Sequence, residues 1–278
     1  MKDLFDHVSA RCSRLVTHTY STSFSLGIFC LHPSIHEPIY AIYGFVRLAD
    51  EIVDSFHGYD KASLLARFKE ETFRSVEEKI SLNPVLNSFQ KTVNQYKIET
   101  SLIDQFLHSM ETDLTRSVHD TESFKTYILG SAEVVGLMCL KIFSQHDANL
   151  YEELKPYAMS LGSAFQKVNF LRDIKEDYVG LGRNYFPGIE IERLNDVNKK
   201  QIEESIAQDF KHAYMGIKQL PKQARLGVYV AYVYYLALFN KIKNTNSHAI
   251  MRTRIRIRNR HKAQLLAYSY FKHQFNLM

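Results

Sequence analysis

The chain has 278 residues, of which 45% are hydrophobic, and a formal net charge of +5. Only 11 Gly and 6 Pro, with abundant Leu, Ile, Lys, Glu and Gln, exclude a turn-rich sheet protein and favour helices. Cys12, Cys30 and Cys139 lie far apart with no C-x-x-C pair, which argues against a disulfide framework or a zinc cluster and suits a reducing cytoplasm. Arg252, Arg254, Arg256, Arg258, Arg260 and Lys262 together exceed the whole net charge of +5. The basic excess is therefore one local cluster, not a face spread for coating nucleic acid, and no nucleic-acid partner is expected.

In chain order, residues 4–20 show helical spacing of apolar side chains (Leu4, Val8, Cys12, Leu15, Val16). Their mixed polarity gives no signal peptide. The hydroxyl cluster Ser21-Thr22-Ser23-Phe24-Ser25 either caps a helix or donates to phosphate oxygens; the stretch itself fits both. Pro33 and Pro38 bracket a helix start that runs through Tyr43 and Arg47 to a close at His57-Gly58-Tyr59. Helices are expected over about 60–80, 84–96 and 100–117, the last carrying Asp113, which reads either as a cavity-facing carboxylate or, like most single Asp residues on a charged helix, as solvated. Residues 121–144 read as one strongly apolar helix with Gly130, Ala132 and Gly136 at helical spacing, for close packing or for a wall thinned around a ligand. Further helices are expected over about 150–179, 199–218 and 222–244. The longest apolar run, 227–239, is too short to span a bilayer and contains Tyr229, Tyr232, Tyr234 and Tyr235, a stripe that reads as core. With no repeat, linker or low-complexity stretch, residues 1–278 read as one all-α domain.

Two stretches carry the chemistry. Arg47-Leu-Ala-Asp50-Glu51-Ile-Val-Asp54 and Asn169-Phe-Leu-Arg172-Asp173-Ile-Lys-Glu-Asp177 each set aspartates at i and i+4, on one helix face a turn apart. Asn169 extends the second stripe by a further turn. Clustered carboxylates repel and raise one another's pKa unless a cation compensates them. Mg²⁺ is usually held by one or two carboxylates together with substrate phosphates, so two acidic faces flanked by Arg47 and Arg172 point to a bound diphosphate. A lone pair of this spacing is usually a solvated face; two pairs, each with an arginine, are not.

On these motifs, with Tyr20-Ser-Thr-Ser-Phe-Ser25, Gly182-Arg-Asn-Tyr-Phe-Pro187 and the basic segment near Arg254, the chain resembles the squalene/phytoene synthase family over nearly its whole length. The resemblance implies a single-domain isoprenoid-synthase helical fold with a central cavity. It implies Asp50, Asp54, Asn169, Asp173 and Asp177 as holders of Mg²⁺, with Mn²⁺ a substitute. Arg47, Arg172 and Arg254 become diphosphate contacts assisted by Ser21 and Ser23, while Gln166 becomes a cavity-lining residue. Tyr127, Tyr185 and Tyr234 fall at family positions near the reacting carbons, and Arg183 and Tyr185 are placed to fold over the site as a lid. Tyr20 stands where many relatives carry His and is left outside the site. Glu133, in Ala132-Glu-Val-Val-Gly136, departs from a common A-G-T-V-G form and bears on the cavity's shape. Glu51 replaces the second Asp of the common D-D-x-x-D form and keeps its charge.

The implied reaction is Mg²⁺-dependent head-to-head condensation of two geranylgeranyl diphosphates to 15-cis-phytoene through prephytoene diphosphate, with no NADPH. The alternative within the family is a squalene, dehydrosqualene or presqualene diphosphate synthase using farnesyl diphosphate. A catalytically silent assembly or binding protein is the alternative of a different class, against which the intact acidic set speaks. A cytoplasmic location is expected, with a lipid substrate bringing the protein to a membrane surface. The basic segment has three readings: a solvated stretch, a surface for anionic phospholipid, or the source of one phosphate-binding arginine.

Overall fold

The structure, a computed structural model, describes residues 1–115, 117–180 and 182–275. The all-α expectation holds: the described residues contain no strand, only an isolated bridge between Val118 and Asn184. Helices follow at α1 (Lys2–Tyr20), α2 (Thr22–Phe29), α3 (His36–Asp54), α4 (Lys61–Glu78), α5 (Pro84–Tyr96) and α6 (Thr100–Thr115). After these come α7 (Thr121–Ile128), α8 (Val134–Phe143), α9 (Ala148–Lys175), α10 (Asp196–Gln219), α11 (Lys222–Lys243), α12 (Ser247–Ile250) and α13 (Asn259–Gln274).

Local chemistry sets several of these boundaries. Asn83 caps α5 by accepting the Val85 and Leu86 N–H groups, with Pro84 at the first helical position. Asp120 and Ser123 form a reciprocal capping box at the start of α7. The buried stripe of α3 (Ile42, Phe45, Ala49, Ile52, Val53) packs on α5, where the Phe45 and Phe89 rings stack at 3.9 Å. A second core gathers around α9, α10 and α11. Facing α3 and α9 leave a cavity between the two cores.

Four sequence expectations change. The buried face of α1 is Ser9, Ser13 and Thr17, whereas Leu4, Val8 and Leu15 are exposed. The helix crosses α3 at Gly44, where an added Cβ would lie 3.1 Å from the Ser13 Cβ, so only small side chains fit. The hydroxyls of Ser9 and Thr17 donate back to carbonyls of their own helix, at 2.8 and 2.9 Å. The stretch 121–144 is not one α-helix but α7 and α8 joined by a π-helical turn, Leu129–Glu133. Gly130 lies in that turn and packs flush on α6, since a Cβ there would come 2.8 Å from the Gln105 carbonyl oxygen.

The second motif helix also changes, ending its α-form at Lys175 and closing with a π-helical turn, Glu176–Gly180. Finally α12 and α13 have no counterpart among the expected helices, because α12 is only four residues long and α13 carries apolar side chains on both its covered and its exposed sides. Among the described residues Thr121–Phe143 is the helical stretch long and apolar enough to cross a membrane, and half of its most apolar window is buried inside the fold.

Candidate active site

The two acidic faces meet across a cavity of about 920 Å³. From α3 come Arg47, Asp50 and Asp54; from α9 come Gln166, Asn169, Arg172 and Asp173, with Asp177 from the π-helical turn that follows. Ser21, Ser23, Tyr127, Tyr185, Tyr234 and Arg254 line the same cavity, so every site residue named from the sequence is brought into one wall.

The charges at this end are interlocked. Arg172 makes a forked pair with the adjacent Asp173, its Nε donating at 2.9 Å. Arg254 donates to Asp173 at 2.8 Å and to Glu176 at 3.1 Å. Arg47 pairs with Glu51, reaches to 4.0 Å from Asp50, and stacks over the Tyr20 ring at 4.3 Å. Tyr20 therefore belongs to the cavity wall, contrary to its exclusion from the sequence. Ser21 takes its capping reading: its hydroxyl accepts the Phe24 N–H at 3.2 Å while it faces the cavity.

Several carboxylates are held far from their usual range. Burial, then the neighbouring Asp54 charge, pushes Asp50 up to about 7. Its accessible surface, 33%, belongs to the cavity wall. Burial, then Asp173 and Asp54, pushes Asp177 up to about 7 as well. These are the signatures of negative charge gathered without enough positive charge to compensate it. No group of three His, Cys, Asp or Glu among the described residues is assembled to hold a metal by itself. The donors instead face one another from two helices, all through oxygen: Asp50, Asp54, Asn169, Asp173 and Asp177. Such a set fits a hard divalent cation that takes its remaining ligands from phosphate and water.

Four residues here escaped the sequence reading, were left open in it or were placed differently. Asp113 takes its cavity-facing reading: half-buried in the site, it accepts from the Tyr127 hydroxyl at 2.7 Å and from the Tyr185 hydroxyl at 3.4 Å. Burial pushes its carboxyl up to about 6 against the pull of Arg183. The signal for this placement is that Asp113 continues the buried stripe Ile103, Phe106 and Met110 of α6. Arg183, read as part of a lid, is buried and donates to Asp54 at 2.9 Å and to the Asp113 carbonyl oxygen at 3.1 Å. Burial alone would lower its pKa; Asp113 and Asp54 reverse the sign and raise it.

Tyr235 donates to the Asn169 side-chain oxygen at 3.2 Å, fixing which way that amide points. Tyr234 donates to the Lys262 carbonyl oxygen at 2.9 Å, while Tyr229 and Tyr232 lie in the core as the stripe suggested. Lys262 reaches the hydroxyls of Ser23 at 2.9 Å and Thr22 at 3.2 Å, and burial lowers its pKa.

Away from the charges the walls are apolar. Leu31, Leu140, Phe143, Leu154, Ile217 and Leu220 line the far end, and Phe170, stacked on Tyr185 at 4.0 Å, lines the near one. Glu133 is absent from this lining and turns toward Lys167 and Asp209, so it leaves the cavity surface to Ser131, Ala132, Val135 and Gly136. All three cysteines are free, and burial pushes the Cys139 thiol in the wall up to about 12, leaving it unreactive.

Comparison with known proteins agrees with this architecture. A sequence model of squalene/phytoene synthases matches residues 17–261. A 15-cis-phytoene synthase of Synechocystis sp. is 28% identical over 267 residues, covering 86% of this chain and 78% of that protein. Phytoene synthase 1 of Solanum lycopersicum is 26% identical over 253 residues, covering 84% of this chain but only 60% of the tomato protein. Among solved structures, a dehydrosqualene synthase in complex with ligand superposes with a TM-score of 0.81 at 20% identity, covering 97% of this chain and 98% of that one. A squalene synthase from Alicyclobacillus acidocaldarius superposes with a TM-score of 0.74 at 19% identity, covering 86% and 94%.

Proposed function

Because the chain belongs to the squalene/phytoene synthase family of prenyltransferases, we propose that it is a phytoene synthase, joining two geranylgeranyl diphosphates head to head through prephytoene diphosphate to 15-cis-phytoene. The observation that carries this reading is the pair of facing acidic helices, with Arg47, Arg172, Arg183 and Arg254 among them, closing one end of a long apolar cavity. The phytoene synthases among its sequence relatives supply the choice within the family.

In this reading Asp50, Asp54, Asn169, Asp173 and Asp177 hold Mg²⁺, or Mn²⁺ in its place, which when bound neutralises the charge that grows on a departing diphosphate. Arg47, Arg172 and Arg254 turn to the phosphate oxygens, exchanging carboxylate partners for phosphate. Ser21, Ser23 and Lys262 donate to the same oxygens. Tyr235 keeps the Asn169 oxygen aimed into the site, while Gln166 and Tyr234 line the path of the prenyl chain. The faces of Tyr127, Phe170 and Tyr185 stabilise the allylic cation and exclude water from it. Arg183 and the Tyr127 and Tyr185 hydroxyls hold Asp113 in place beneath that aromatic wall. No NADPH is needed, since the last step is loss of a proton.

The test is product analysis by mass spectrometry with purified protein and Mg²⁺, giving geranylgeranyl or farnesyl diphosphate, each with and without NADPH. A forty-carbon hydrocarbon from geranylgeranyl diphosphate without NADPH is the expected result. A thirty-carbon product moves the assignment to the squalene branch. No product from either, with the fold intact, overturns the reading.

A further inference from the structure

The stretch from Arg252 to Phe275 forms a surface that the reaction does not explain. It contains no Asp or Glu, but it carries five arginines and two lysines. Its first part is an extended strap in which Ile255 is buried, Arg254 and Arg256 line the cavity, and Arg252 and Arg258 are exposed. Only Arg254 of these is engaged with carboxylates; Arg252, Arg256, Arg258 and Arg260 form no ion pair among the described residues. The second part is α13, which lies against α11 through Leu265, Leu266 and Ser269.

The outer side of α13 is aromatic where a surface helix is normally polar. Tyr268, Phe271 and Phe275, at i, i+3 and i+7, are 54%, 62% and 64% exposed, and Tyr270 beside them is 56% exposed. The Phe271 and Phe275 rings stack at 6.0 Å, so the stripe is continuous over about 10 Å of helix. Large exposed apolar patches mark contact surfaces. Here one acid-free segment carries both an exposed aromatic stripe and arginines that form no ion pair among the described residues, a composition that matches the headgroup region of an anionic bilayer, apolar below and negative above.

We propose that residues 252–275 are an interfacial element that seats this protein on anionic phospholipid, with the Phe271/Phe275 stripe entering the headgroup boundary and Arg258 and Arg260 meeting the phosphates. The same segment supplies Arg254, Ile255 and Lys262 to the cavity wall, so seating it brings the cavity next to the lipid. The surface is present whatever prenyl diphosphate the cavity takes.

The chain has no tryptophan, so Phe271→Trp installs a single reporter. Full-length protein is sedimented with vesicles of phosphatidylcholine alone or with 30% phosphatidylglycerol, and the tryptophan emission is followed in parallel. Binding is expected only to the anionic vesicles, abolished by 0.5 M NaCl, with a blue shift of the Trp emission. Arg258→Gln/Arg260→Gln is expected to weaken binding about tenfold or more, and Phe271→Ser/Phe275→Ser to weaken it comparably, with unchanged thermal unfolding. Three outcomes overturn the proposal: no binding to anionic vesicles, binding that neither double variant reduces, or an unshifted Trp emission on bound protein. A dimer that Phe271→Ser/Phe275→Ser dissociates, without vesicle binding, assigns the face to a second copy instead.

Discussion

The two ends of the cavity are built on opposite principles. At the charged end, Asp50, Asp54, Asp173 and Asp177 are held close together with incomplete compensation, and Asp50 and Asp177 are pushed up to about 7. At the far end, Leu140, Leu154 and Leu220 are part of an ordinary packed core that happens to face a void. The first end gives up stability to be ready for a ligand; the second contributes stability and shapes the space. A substitution should therefore move catalysis at one end and folding at the other.

The largest effect belongs to the acids. Asp50→Ala or Asp173→Ala should lower turnover by about a thousandfold or more while far-UV circular dichroism stays unchanged. Full activity in either would remove the metal-site reading. Asp113→Asn keeps the shape but removes the charge that faces Arg183; steady-state kinetics should show a loss of about ten- to a hundredfold, which extends the charged end to a residue outside both motifs. At the far end, Leu154→Ala should lower unfolding stability by about 2–4 kcal/mol in a denaturant titration, and leave divalent-cation affinity unchanged. A variant that loses cation affinity there would break the separation.

The smallest effect lies behind the wall. Burial, then Asp209, pushes Glu133 up to about 7 from its ordinary 4.5. The folded chain thus keeps a proton that the unfolded chain releases, so this group's contribution is full below about pH 4.5 and is lost as pH rises through 7. Glu133→Gln should remove that loss, gaining stability at pH 8 and nothing at pH 4.5, with turnover unaltered. A pH-independent difference would mean that Glu133 is not strained by its charge.

The same contrast explains what was legible beforehand. One pair of aspartates a helical turn apart is commonplace, but two such pairs, each beside an arginine, are not, so the charged end was legible at Asp50, Asp54, Asp173 and Asp177. The far end could not, because a leucine facing a cavity has the same sequence context as one facing its neighbours. Asp113 stayed open between two readings for a related reason: a carboxylate at the end of an apolar stripe looks solvated until partners such as the Tyr127 and Tyr185 hydroxyls arrive from elsewhere in the fold. On α1 the pattern misled outright. Serine is small before it is polar, and Gly44 selects for size, which hydropathy spacing does not register. Tyr234 and Tyr235 are adjacent in sequence, and only the packing of α11 shows which of them meets Asn169.

Lys262 reaches Ser23 across 239 positions. A ribosome adding about 5–20 residues per second leaves the hydroxyls of α2 without this partner for roughly 10–50 s. The charged end of the cavity thus waits on a residue made long after its first hydroxyls. Until α13 docks, the nascent chain presents its helices without a finished site, and the hydroxyls of α2 gain their lysine partner only once residue 262 has been made.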